Sequence, residues 1–151
     1  MLNPDFRDML SAFNEERVEY LVVGAYALAA HGFVRATGDI DLWIKSSEEN
    51  AERVMKALMT FGAPLADLSI KDLIKPDLIF QIGVIPRRID ILTSIDGVAF
   101  TEAWELRQEI ALEDLKIPVI SRTHLIKNKK KSGRPKDKID VEWLEMEDPK
   151  D

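Results

Sequence analysis

The chain has 151 residues, 46% of them apolar and 32% charged, with no cysteine and a formal net charge of −6 at pH 7. That length suits a single domain, residues 1–151, able to bury a core. The lack of cysteine excludes a disulfide framework, a thiolate metal site and a cysteine nucleophile. No apolar run is long enough to cross a bilayer, and the start, MLNPDFRDML, carries charges where a secretory signal would be apolar. A cytoplasmic protein without membrane contact is the expectation.

Taken in order, residues 4–17 place Phe6, Met9, Leu10 and Phe13 at helical spacing. Residues 19–23 (EYLVV) read as a short buried strand ending at Gly24, and residues 25–30 as a small-residue helical turn closed by His31-Gly32. Residues 40–44 form a second strand with Asp39 at its mouth, after which Ser46 or Ser47 caps a helix running to about Phe61. Residues 64–77 carry no clear period, and Lys75-Pro76 marks the entry to a strand. Residues 78–84 and 88–93 read as an antiparallel pair joined around Pro86.

Residues 100–107 suggest a short helix, and residues 109–120 two strand pieces broken at Pro118. Ser121 caps a helix to Lys131, Gly133-Arg134-Pro135 turns the chain, and residues 136–146 form a last helix. The order implies an α/β (α+β) fold in which a small mixed, twisted sheet is flanked by helices, the C-terminal ones spanning about 121 to 146. Charge is uneven along it. Eight Lys or Arg residues and one acid lie between Arg122 and Lys138, so this stretch is +7 and the remainder −13. Such a strip attracts a polyanion or is simply a solvated helix face.

The chemistry concentrates in Thr37-Gly38-Asp39-Ile40-Asp41-Leu42-Trp43. Residues two apart in a strand share a face, so Asp39 and Asp41 project together, their Cα atoms roughly 6.5 Å apart. Paired carboxylates repel and are costly to bury unless a cation or proton neutralises one. Hard oxygen ligands of this kind suit Mg²⁺ or Mn²⁺, although an Asp-x-Asp pair also caps helices and turns. A third acid, Asp90, stands among β-formers in Arg88-Ile89-Asp90-Ile91-Leu92, and joins the cluster if its strand lies beside that of Asp39. Upstream, Gly24-Ala25 makes a strand-to-helix junction whose backbone N–H groups can hold a phosphate.

Other residues have plainer readings. His31 suits a helix end, His124 a surface position among basic residues, and Trp43, Trp104 and Trp143 the core. Asp137 and Asp140 can pair with neighbouring lysines.

Together, Gly24-Ala25, Arg35-x-Thr37-x-Asp39-Ile40-Asp41 and Arg88-Ile89-Asp90 resemble the polymerase-β-type nucleotidyltransferase superfamily. The pattern is most similar to its minimal bacterial branch, which includes the abortive-infection toxins of the AbiE (AbiEii-like) type. GVIPRRIDILTSIDGVAFTEAW and LIKNKKKSGRPKDKID are like that branch too, so the resemblance runs from about Tyr20 to Leu144. It implies a nucleotidyltransferase that moves an NMP from an NTP to an acceptor hydroxyl by a two-metal mechanism. Asp39, Asp41 and Asp90 would be the catalytic and metal-ligating set for Mg²⁺ or Mn²⁺. Nucleotide contacts would fall to Gly24, Ala25, Arg35, Thr37, Lys129, Arg134 and Asp137. RNA or a protein would be the acceptor, and an antitoxin or partner subunit is a further implied partner. Ala25 departs from the pattern, since members usually carry Gly or Ser there, and a serine contact to phosphate is lost. A catalytically inactive nucleotide- or partner-binding module of the same fold is the alternative.

Overall fold

In the computed structural model, residues 2–33, 38–84 and 87–146 are described. Helix α1 (Pro4–Glu15) starts with Pro at its first position and with the Asn3 side chain accepting from the Asp5 N–H, which supplies the donors' partner at the helix start. It leads into β1 (Tyr20–Val23), then α2 (Gly24–Ala30), β2 (Ile40–Ile44) and α3 (Glu48–Phe61). Ser47 caps α3 by accepting from the Asn50 N–H, and Gly62 closes it at φ 92°, a left-handed cap that glycine adopts without strain. The remaining elements are α4 (Ile70–Ile74), β3 (Ile79–Ile82), β4 (Ile89–Leu92), α5 (Phe100–Glu105), β5 (Gln108–Leu112), β6 (Leu115–Val119), α6 (Arg122–Ser132) and α7 (Pro135–Met146).

The six strands form one mixed sheet in the order β3-β4-β2-β1-β6-β5. β2 pairs antiparallel with β1 and parallel with β4, while β1 and β6 run parallel. Period-two alternation then sorts the central strands. Ile40, Leu42 and Ile44 are buried on one face of β2, while Asp41 and Trp43 share the other. Trp43 packs edge-on against Phe100 of α5, with ring centroids 5.0 Å apart. One buried polar side chain fastens helix to sheet. Asn50 accepts from the Glu19 N–H at 2.8 Å and donates to the carbonyls of Glu19 and Lys45 at 3.0 and 2.9 Å. It thereby fills the hydrogen-bonding capacity that its burial would otherwise leave unmet.

Several expectations need correction. Pro118 lies inside β6 and does not break it; the strand pair turns instead at Glu113-Asp114, with Leu112 opposite Leu115. The Ile120 N–H points to β1, donating to the Val22 carbonyl, so by strand alternation the donor missing at Pro118 also faces β1. The β5–β6 ladder is untouched by it. His124 is buried, and its ring bridges Ser121 Oγ and Glu102 Oε1, each at 3.1 Å. Trp143 is 38% exposed and stacks on Phe33 at 6.2 Å, so of the three tryptophans Trp43 alone is fully enclosed. Residues 64–77 contain α4, held by a reciprocal capping box between Ser69 and Asp72. The joint around Pro86 lies outside the described residues. Among the described residues, no helix is long and apolar enough to cross a membrane.

Candidate active site

The parallel register of β2 and β4 sets Asp41 opposite Asp90. Both project from one face of the sheet, because each is one residue out of step with the buried isoleucines beside it. Asp39, just before β2, completes the group at the edge of a cleft of about 600 Å³. The same cleft is lined by Gly24 and Ala25 on one side, by Lys129, Arg134, Lys136, Asp137 and Asp140 on another, and by Ile79, Leu92 and Ile95 further along β3 and β4. Arg35 and Thr37 lie outside the described residues. All the other residues expected at the site line this one cleft.

Gly24 explains how β1 approaches so closely. It sits at φ +69°, and a Cβ there would collide with Asp41 Oδ2. A side chain at this position therefore costs twice, once in backbone strain and once by displacing the carboxylate. No side chain caps the start of α2, where the N-cap is Val23. The first backbone N–H groups of a helix have no intrahelical partner, and Gly24 and Ala25, which carry two of them, line the cleft.

The carboxylates are not a simple acidic cluster. Arg88 places its guanidinium between them, with Nε 2.7 Å from Asp90 Oδ1 and Nη2 3.2 Å from both Asp90 Oδ2 and Asp39 Oδ2. Arg88 is a site residue that the sequence pattern assigns no role. The available signal was its spacing, since a residue two before Asp90 shares its face. Asp41 is pushed up to about 6, chiefly by burial and then by the charges of Asp90 and Asp39 and a hydrogen bond with Asp90, with Arg88 partly offsetting them.

Among the described residues, no three acidic, histidine or cysteine groups stand together in a metal-holding arrangement. The donor set nonetheless fits a hard divalent cation in its chemistry. Three carboxylates face one guanidinium, which leaves an excess of negative charge and of hard oxygen donors in the cleft.

The opposite wall is a second charged network. Lys129, only 8% exposed, lies 2.9 Å from Asp140 and 3.4 Å from Asp137, each of them 1% exposed. Asp137 also accepts from Ser132 Oγ and from Arg134 Nε, the latter at 2.9 Å. Burial alone would raise the Asp137 carboxyl. The hydrogen bonds from Ser132 and Arg134 and the charge of Lys129 outweigh it and hold it down at about 2. The basic strip is thus partly an internal structure. Lys129 anchors α6 to α7, while Lys130 reaches Glu145 at 3.2 Å nearer the surface.

A mixed six-stranded sheet flanked by helices, with paired acids on adjacent central strands beside a glycine turn, is the nucleotidyltransferase fold. No protein-family model matches the sequence, and no curated protein matches it either. Solved structures do. A protein described as a nucleotidyltransferase from Thermotoga maritima is 19% identical, with a TM-score of 0.63 over 97% of each chain. The lincosamide antibiotic adenylyltransferase LnuA, in its lincomycin-bound form, is 17% identical, with a TM-score of 0.58 over 96% of this chain and 97% of its own. An antigenic nucleotidyltransferase-like protein from Paracoccidioides brasiliensis is 13% identical, with a TM-score of 0.53 over 93% of this chain and 74% of its own. These likenesses concern the fold.

Proposed function

We propose that the protein is a nucleotidyltransferase that moves an NMP from an NTP to an acceptor hydroxyl, with Asp39, Asp41 and Asp90 as its catalytic acids. The observation carrying this reading is the side-by-side placement of Asp41 and Asp90 on β2 and β4, within a cleft that also receives Gly24 and Lys129. A pair of divalent cations held by the three carboxylates, Mg²⁺ or Mn²⁺, would neutralise triphosphate charge and acidify the acceptor hydroxyl. The chain's own groups supply the rest. The N–H groups at Gly24 and Ala25 receive phosphate oxygens, and Asp90 orients the acceptor hydroxyl in line with the α-phosphorus. Arg134 and Lys136 at the rim offset the charge of departing pyrophosphate. The hydroxyl gives up its proton to Asp90 or solvent, its oxygen forms the new P–O bond, and the bond to pyrophosphate breaks.

The resemblance of the sequence pattern to the AbiE-type branch supports RNA or a protein as the acceptor and an antitoxin or partner subunit as a partner. The LnuA neighbour is an adenylyltransferase of an antibiotic, which makes a small-molecule hydroxyl a further acceptor to assay. Arg88 favours a second reading. A cation already seated on Asp39 and Asp90 suits a module that binds nucleotide or a partner without catalysis.

A ligand titration separates the two readings. Mg²⁺ or Mn²⁺ with NTP should raise the melting temperature of the parent by mass action on the folded state. Asp41→Ala should fold and lose that response. A parent that does not respond at saturating ligand contradicts both the enzyme and a nucleotide-binding module and leaves a partner-binding one, and an Asp41→Ala variant that responds like the parent refutes the site assignment.

A further inference from the structure

Arg88 holds both oxygens of Asp90 and one of Asp39, and its backbone N–H also faces Asp39 Oδ1 at 3.4 Å. Its side chain is 22% exposed and lies on the cleft wall, so it has somewhere to go. A guanidinium that engages both oxygens of Asp90 and one of Asp39 fills the space between the two carboxylates, and its positive charge repels a divalent cation brought to the same oxygens. From this competition we infer that Arg88 is a resident counter-cation of the free site, displaced from Asp39 and Asp90 when a divalent cation loads.

The inference rests on the nucleotidyltransferase reading and adds a residue to it. The charges on the two sides of the exchange explain why both states are stable. In the free protein the guanidinium offsets part of the repulsion among Asp39, Asp41 and Asp90, which would otherwise oppose folding. A divalent cation carries twice the charge at shorter range and takes over that role. The freed guanidinium then stands on the wall of a cleft open to a polyanion, and its planar fork suits a phosphate as well as it suits a carboxylate. One side chain thus keeps the acids paired before loading and supplies a positive group beside the ligand afterwards.

The test is Mn²⁺ binding to the full chain, without nucleotide, by electron paramagnetic resonance. Arg88→Met should bind Mn²⁺ about tenfold more tightly than the parent, the scale of one charge-assisted hydrogen bond removed from the competing state. Arg88→Lys, which keeps the charge without the fork, should fall between them. In the parent itself, where no variant's folding is at stake, Mg²⁺ should move the Arg88 Nε–H resonance away from its carboxylate-bonded position. Unchanged or weaker Mn²⁺ binding by Arg88→Met, or an Arg88 resonance indifferent to Mg²⁺, overturns the inference. Asp41→Asn distinguishes this from failure of the underlying reading. If the parent binds Mn²⁺ and Asp41→Asn does not, the metal reading stands and only the competition has failed. If Asp41→Asn binds like the parent, or neither binds, the metal reading itself falls and the inference with it.

Discussion

Asp41→Asn should stabilise the metal-free protein, an unusual result for a residue at the centre of an active site. The carboxyl rises from an ordinary 3.8 to about 6 because it is buried beside Asp90 and Asp39. The folded state therefore binds this proton more tightly than the unfolded chain does, and stability falls as pH rises between about 3.8 and 6. Above that window the full penalty applies. A shift of this size corresponds to about 2–3 kcal/mol, at 1.36 kcal/mol per pH unit. Asparagine imitates the protonated acid in shape and removes the repelling charge. At pH 7 in chelator, the variant should melt higher by about 4–12 °C for a chain of this length. The gain should shrink as pH falls and vanish at about pH 3, below both 3.8 and 6, where the parent's own carboxyl is protonated in both states. Thermal melts from about pH 3 to 8 check both statements. A variant less stable than the parent at pH 7, or a gain that does not depend on pH, would refute the electrostatic account of this site.

Three further outcomes follow from the same geometry. Lys129→Met leaves Asp137 and Asp140 buried without their shared cation, and should lower stability by about 3–5 kcal/mol in urea unfolding. Asp137, held at about 2, contributes stability that is complete above about pH 4 and lost as pH falls through 2. Asp137→Asn should flatten that acid limb in melts taken between pH 2 and 5. Gly24→Ala combines left-handed backbone strain of about 1–2 kcal/mol with displacement of Asp41. It should weaken Mn²⁺ binding more than it lowers the melting temperature, which calorimetry and melts on one preparation can compare.

The chemistry of the cleft was legible where it depended on a strict period. Asp39, Asp41 and Asp90 could be placed because each interrupts a run of β-formers, and alternation then fixes their face; the register of Asp41 with Asp90 bears that placement out. Ser47 and Ser121 were legible as helix starts for a similar local reason, a hydroxyl placed to accept from the backbone N–H three residues on. What could not be read was partnership across the fold. Arg88 shares a face with Asp90, but only the parallel β2–β4 pairing brings it within reach of Asp39 as well. The pairing of Asp137 and Asp140 with lysines was legible, but the strip does not show which lysine, and only the packing of α7 on α6 encloses Lys129, expected as a nucleotide contact, between them. His124 went the same way, since Glu102, its partner, is 22 residues away in sequence. α4 was missed because it has five residues, too few for a period, and its capping box carries Asp72 where Glu or Gln is the usual signal. Pro118 misled because a proline within a strand is harmless when the donor it lacks would face a sparsely paired neighbour.

The central claim is transfer of a nucleotide, and the most direct measurement is incubation of the purified chain with each of the four α-labelled NTPs, Mg²⁺ or Mn²⁺, and total RNA. The account predicts that label from one NTP becomes attached to an acceptor, RNA or the protein itself, in the parent and not in Asp41→Ala. Label transferred equally by Asp41→Ala would contradict it outright. No transfer by the parent to any acceptor tried, while Mn²⁺ and NTP still bind, would contradict the enzymatic claim and support a nucleotide-binding module built on the same fold.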